Sequence, residues 1–116
     1  MNTASQASQA EWHAVASIGD IPATGVLRVE LKGHEIALYR TPEGFFATHD
    51  RCTHLRGRLS DGYLDGTVIQ CPLHFGKFDT RTGRPLSIPC KAPVRSYLVR
   101  VQGDTLQISL DRNARA

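Results

Sequence analysis

Apolar and polar residues alternate along most of this chain with a period of two, which predicts β-strands. Leu27, Val29 and Leu31 alternate with charged neighbours, and Leu106 and Ile108 repeat the pattern near the end of the chain. No segment shows the period of an amphipathic helix. We therefore expect a fold built almost entirely from strands.

Turn signals separate the predicted strands. Gly and Pro occur where a tight reversal is expected, at Lys32-Gly33, at Thr41-Pro42-Glu43-Gly44, at 80–85 and at Gly103-Asp104. Many short strands with frequent turns predict an all-β fold, a small antiparallel barrel or sandwich. The predicted strands are 27–31, 35–40, 45–48, 67–70, 75–79, 96–102 and 105–110.

The chain has 116 residues, which is the usual size of one domain with a single core. We expect that domain at 11–110, between a disordered tail at 1–10 and a short tail at 111–116. No run approaches the ~20 apolar residues of a membrane span. The N-terminus also lacks the basic start and apolar centre of a secretory signal. These features predict a cytoplasmic, monomeric protein that does not associate with membranes.

The cysteine count and the charge distribution refine this prediction. Three cysteines do not suggest the even disulfide set of a small secreted domain. The net charge is +3, but residues 50–95 carry eight basic and four acidic residues. No aromatic platform or helix accompanies the basic residues, so nucleic-acid binding is not expected.

Two short segments carry the candidate chemistry, Cys52-Thr53-His54 and Cys71-Pro72-Leu73-His74. Each offers one thiolate and one imidazole. In a Rieske 2Fe–2S centre two cysteines bind one iron and two histidines bind the other. The same four residues could instead form a Cys2His2 zinc site, although Cys-x-His is an unusual zinc spacing. His49 is a formal alternative ligand, and Cys90 is expected to be a buried packing residue rather than a ligand.

The residues around these segments identify a family. The runs 50–55, 59–66 and 70–79 resemble the Rieske ferredoxins, most closely the small ferredoxins of bacterial aromatic-ring-hydroxylating dioxygenases. The resemblance covers about residues 11–110. It implies the Rieske fold, with a cluster-binding subdomain at about residues 50–90 inserted between strands of the barrel. It also implies one 2Fe–2S cluster, with Cys52 and Cys71 on the inner iron and His54 and His74 on the outer iron.

The resemblance also bears on the reduction potential. High-potential relatives carry a disulfide between the two loops, at positions that Gly57 and Leu73 occupy here. They also donate hydroxyl hydrogen bonds from positions that are Gly76 and Phe78 here. Fewer donors leave the reduced cluster less stabilised. We therefore expect a potential at the low end of the Rieske span, about −150 to +300 mV.

The resemblance implies a soluble one-electron carrier between a flavin-dependent NAD(P)H ferredoxin reductase and a terminal Rieske non-haem iron aromatic-ring dioxygenase. The chain is not expected to be an enzyme, because an oxygenase also needs a mononuclear iron site of two histidines and one carboxylate. The three other histidines here are scattered, and the chain has no room for a second domain. Two alternatives remain at this point: the small subunit of an assimilatory nitrite reductase, and a structural zinc module. The basic stretch 50–95 predicts an acidic partner surface and salt-sensitive electron transfer.

Overall fold

The computed structural model describes residues 11–52, 57–73, 75–88 and 92–110. Both expected tails lie outside these ranges. Within them the only helical elements are two single 3-10 turns, Ile18–Asp20 and Leu59–Asp61. The strands are β1 His13–Ser17, β2 Val26–Leu31, β3 His34–Thr41, β4 Gly44–His49, β5 Tyr63–Asp65, β6 Val68–Gln70, β7 Lys77–Asp79, β8 Ser96–Gln102 and β9 Thr105–Ser109.

The strands form two antiparallel sheets. The larger has the order β1-β9-β8-β4-β3-β2, and its edge strands β1 and β2 lie against each other, so the sheet nearly closes into a barrel. The smaller sheet, β5-β6-β7, is inserted in the chain between β4 and β8. This arrangement confirms the predicted all-β barrel with an inserted subdomain. No helix of the described residues has the length and apolar character needed to cross a bilayer.

Strand β3 separates two apolar cores. Ile36 and Leu38 point into the barrel, where they pack in one cluster with Leu106 and Ile108. The other face of β3 belongs to a second core that joins the barrel to the small sheet. That core consists of Val26, Ala37, Tyr39, Cys52, Leu59, Ile69, Cys71, Phe78 and Val94. Both candidate cysteine ligands are therefore part of the contact between the two sheets.

The predicted strands are found with small shifts at their ends, but three features differ. β1 and β5 were not predicted, since Tyr63–Asp65 was assigned to the connection between the two ligand segments. The predicted strand 75–79 was wrong at its start. β7 begins only at Lys77, because Phe75 has a positive φ of 60° and leaves the extended region.

Candidate metal centre

The two cysteines follow strands of different sheets. Cys52 lies three residues beyond the end of β4, in the barrel, and Cys71 comes immediately after β6, in the small sheet. Both side chains are buried, with exposed fractions of 5% and 0%. The packing of the small sheet on the outer face of β3 therefore brings the two ligand segments together.

The two ligand loops, residues 52–57 and 71–76, close in the same way. The backbone N–H of Cys52 donates to the carbonyl oxygen of Gly57 at 2.8 Å, and that of Cys71 donates to Gly76 at 2.7 Å. Each loop thus begins with a cysteine, ends with a glycine and is closed by a hydrogen bond between them. The first loop starts and ends at the isolated bridge Arg51–Arg58. The second starts and ends at the pair Gln70–Lys77, which belongs to the regular β6–β7 ladder.

The loops also contact each other. A Cβ added to Gly57 would lie 3.0 Å from the sulfur of Cys71 and 3.1 Å from the side chain of Leu73. Gly57 therefore leaves room for the second loop where a larger residue would press against it. The positions that hold the disulfide in the high-potential relatives, 57 and 73, are neighbours here, and Gly57 and Leu73 cannot form that bridge.

The sulfur atoms of Cys52 and Cys71 lie within hydrogen-bonding reach of each other, and neither cysteine is in a disulfide. Burial raises the pKa of the Cys71 thiol to about 11, although a hydrogen bond from the backbone N–H of Leu73 to its sulfur acts in the opposite direction. Such a thiol keeps its proton near neutral pH unless a metal ion replaces it. Two buried, adjacent sulfur donors fit the cysteine side of a 2Fe–2S cluster, because soft thiolates select iron–sulfur clusters and zinc.

The histidine side of the predicted site falls on His54 and His74, which lie outside the described residues. His74 lies between Leu73 and Phe75, which are described, and His54 lies between Cys52 and Gly57, the first and last residues of its loop. Within the described ranges no group of three or more metal-ligating side chains occurs. Cys90 also lies outside the described residues.

The side chain of His49 lies on the face of β4 opposite to the core that contains the two cysteines. Side chains alternate along a strand, so His49 shares the face of Ala47, which packs in the barrel core. Thr48 points the opposite way and bonds to the hydroxyl of Tyr39, which belongs to the core around the cysteines. This alternation directs His49 away from the sulfur pair.

An apolar rim, defined as Leu73 and Phe75 of the second loop together with Leu86 and Ile88 of the segment after β7, was not predicted from the sequence. All four side chains are exposed, Ile88 by 84% and Phe75 by 61%. The segment 86–88 is held next to β7, because the backbone N–H of Leu86 donates to the Lys77 carbonyl and the N–H of Lys77 donates to the Ser87 hydroxyl. The one sequence signal was that large apolar residues occur in loops, where polar residues are usual.

Phe78 bears on the expected potential. Its ring is fully buried in the same core as the two cysteines and offers no hydroxyl donor there. This agrees with the expectation of a low potential, which stays a prediction.

Comparison with known proteins places these features in a family. Residues 11–98 match the family model of the Rieske [2Fe-2S] domain. The ferredoxin component of a naphthalene 1,2-dioxygenase system from Pseudomonas aeruginosa is 40% identical over 100 residues, covering 86% of this chain and 96% of that protein. The ferredoxin component of a p-cumate 2,3-dioxygenase system from Pseudomonas putida is 43% identical over 93 residues, or 78% and 79% of the two chains.

Solved structures of ferredoxins from dioxygenase systems also match this chain. A chain in the complex of reduced oxygenase and oxidised ferredoxin of carbazole 1,9a-dioxygenase matches with a TM-score of 0.78 at 38% identity, covering 84% of this chain and 92% of that one. The carbazole 1,9a-dioxygenase ferredoxin of Nocardioides aromaticivorans IC177 matches with a TM-score of 0.80 at 31% identity, over 84% and 96%. A putative nitrite reductase small subunit also matches, at 19% identity and a TM-score of 0.72, which shows a shared fold alone.

Proposed function

The chain belongs to the Rieske [2Fe-2S] domain family, and we propose that it carries single electrons from a flavin-dependent NAD(P)H reductase to a terminal aromatic-ring dioxygenase. The observation that carries this proposal is the meeting of two cysteine-led loops at one buried sulfur pair, beside an exposed apolar rim. Relatives that are 40% and 43% identical to this chain are named as ferredoxin components of dioxygenase systems.

The proposal assigns the ligands as the sequence predicts. Cys52 and Cys71 hold one iron, and His54 and His74 hold the other. When bound, a cluster with this ligation supplies a one-electron redox couple, at about −150 to +300 mV in such centres. The surrounding side chains contribute burial on the cysteine side, from Leu59, Ile69 and Phe78, which excludes water from the sulfur atoms.

The apolar rim gives the carrier a surface for its partners. Exposed apolar residues that lie together mark interaction sites on soluble proteins. Two of them, Leu73 and Phe75, belong to the loop of Cys71, so a partner that covers the rim lies against a loop that carries predicted iron ligands. A small, water-excluding contact suits a carrier that must dissociate after each electron. The cytoplasmic location and the monomeric state expected from the sequence are part of this proposal.

The proposal is tested first by spectroscopy on anaerobically purified protein reduced with dithionite. A rhombic EPR signal with an average g below that of all-cysteine clusters, with two irons per chain, is expected. Stoichiometric zinc and a silent spectrum in protein from the native source would contradict the cluster assignment. The carrier role is tested by adding the loaded protein to NADH, a flavoprotein ferredoxin reductase and cytochrome c. Reduction of cytochrome c should depend on this chain.

A further inference from the structure

The first ligand loop is held differently from the second at its base. Gln70 and Lys77, at the base of the second loop, belong to the continuous β6–β7 ladder. Arg51 and Arg58, at the base of the first loop, form a single isolated bridge. Backbone hydrogen bonds from Cys52 to Gly57 and from Leu59 to Asp50 flank this bridge, but no regular ladder continues it. The two arginine side chains repel each other across the bridge, so a contact with a negatively charged group stabilises the base of the loop.

Glu35 supplies that contact from β3. One carboxylate oxygen accepts from Nε of Arg51 at 3.1 Å, and the other lies 2.9 Å from a guanidinium nitrogen of Arg28 and 3.8 Å from one of Arg58. The hydrogen bonds from Arg28 and Arg51 hold the pKa of Glu35 below its ordinary range, so the group is charged near neutral pH. One carboxylate thus contacts the arginines on both legs of the loop and offsets part of their charge.

Asp50 continues the same network beneath the loop. Its carboxylate is fully buried and accepts the backbone N–H of Ser60 at 2.7 Å and the Ser60 hydroxyl at 2.9 Å. Nε of Arg28 lies 3.3 Å from the same group, so Arg28 contacts both carboxylates. The backbone is tied in as well, because the N–H of Asp50 donates to the Glu35 carbonyl at 2.9 Å. Buried charges arranged in this way are partnered and resist rearrangement.

We propose that Glu35 is a positioning residue for the iron–sulfur site: it holds the base of the first ligand loop closed and so fixes the loop that bears Cys52 and His54. The inference rests on the proposed function, because it assigns Glu35 a role toward the cluster. Without the carboxylate, Arg51 and Arg58 would face each other uncompensated. The loop base would widen while the second loop, held by its ladder, stayed in place.

The test compares Glu35→Gln with Glu30→Gln. Glu30 is the cross-strand neighbour of Glu35 and contacts Arg28 only at 3.8 Å, with 65% of its side chain exposed. Each variant is purified with its cluster, and iron release to an excess of a ferrous chelator is followed at neutral pH. Glu35→Gln is expected to release iron roughly tenfold faster, since a charge-assisted hydrogen-bond network is lost at the ligand loop. Its EPR lines should also broaden, because the ligand geometry becomes heterogeneous.

Glu30→Gln should match the wild type in both measurements. Release rates and EPR line widths that are the same for Glu35→Gln and Glu30→Gln would overturn the inference. If Glu35→Gln does not fold, Glu35→Asp carries the test, because the shorter side chain keeps the negative charge but withdraws the carboxylate from Arg51 and Arg58. It should then release iron faster than Glu30→Gln, and equal rates would again overturn the inference. A wild-type protein with no Rieske signal would instead refute the proposed function.

Discussion

At the scale of single residues, the two cysteines hold the same position in their loops. Each starts a loop that is closed by a hydrogen bond from the cysteine N–H to a glycine carbonyl, and each side chain is buried in the core between the sheets. Cys52 and Cys71 can therefore act as a matched pair on one iron. The assignment of the histidines to the other iron is a prediction from the motif.

Substitution of the ligands separates these two roles. Cys71→Ser should largely abolish cluster binding, because a hydroxyl replaces a buried thiolate. His74→Cys should keep a cluster but lower its midpoint potential by on the order of 100 mV, since an added thiolate makes the centre more negative. Potentiometric EPR titration measures both effects. His13→Gln is the control, because that ring lies near Glu11 on β1, outside the ligand loops. An unchanged midpoint in His74→Cys would contradict the ligand assignment.

The candidate ligands were predictable from the sequence because donor type and spacing are local properties. The convergence of Cys52 and Cys71 followed only from the family resemblance, since nothing near either residue specifies the other. The exposure of Phe75 and Ile88 was not predictable. An apolar side chain in a loop can be buried or exposed, and only the packing of neighbouring segments decides which.

At the scale of elements, the strands whose alternation is plain were predicted well. The hairpin of β8 and β9 was found almost as expected, because its period-two pattern and its Gly103 turn agree. β5 was missed because its residues, Tyr63–Asp65, are few and mostly exposed, so they carry no alternation to detect. β3 differs again: four consecutive residues, 36–39, are buried, because each face packs against a separate core.

The turn after β7 provides a test of stability against pH. Asp79 accepts the backbone N–H of Arg81 at 2.9 Å and contacts its guanidinium with both oxygens, at 3.1 Å each. The hydrogen bond from the Arg81 side chain holds the pKa of Asp79 below its ordinary value. This contribution to stability is therefore complete above the unfolded-state pKa of about 3.9 and is lost as pH falls through the lower folded-state pKa.

Asp79→Asn should consequently lower the free energy of unfolding by about 1 kcal/mol near neutral pH, because the amide can keep the turn hydrogen bond but not the charge. The difference from wild type should shrink as the pH falls below about 4. Urea denaturation across the acid range measures this. Asp65→Asn, at the exposed end of β5 in the same sheet, serves as the control and should have little effect. A difference that persists unchanged in acid would show that charge is not the cause.

At the scale of the whole molecule, ion pairs reduce the basic excess that the sequence suggested for residues 50–95. The basic excess of residues 50–95 is partly compensated by carboxylates from outside that stretch. Glu35 contacts Arg51 and Arg58, and Glu43 contacts Arg81 at 3.1 Å. Lys77, exposed at the start of β7 next to the apolar rim, has no ion pair within the described ranges. The positive field at the proposed docking surface is therefore weaker than the raw count predicts.

Electron transfer to an oxygenase should still depend on salt, but moderately. Charge attraction between partners is screened within about 8–10 Å at ordinary ionic strength, so the association rate should fall as salt is added. Lys77→Gln should lower the rate at low salt and make its salt dependence shallower. Stopped-flow oxidation of the reduced protein by an oxygenase component, over a series of salt concentrations, measures both. Lys32→Gln, in the β2–β3 turn, is the control of equal charge. Rates that stay constant from low to high salt would contradict electrostatic steering.

The sequence by itself determined which donor atoms are available, the strand periodicity and the main turns, because each depends on residues close together in the chain. Only the tertiary structure decided that Cys52 and Cys71 share one core, that both faces of β3 are buried and that Glu35 contacts Arg51 and Arg58. These contacts join segments that are brought together by pairing of distant strands and packing of one sheet on another. Alternation tells which face of a strand is apolar, and the assembled sheets decide what that face meets.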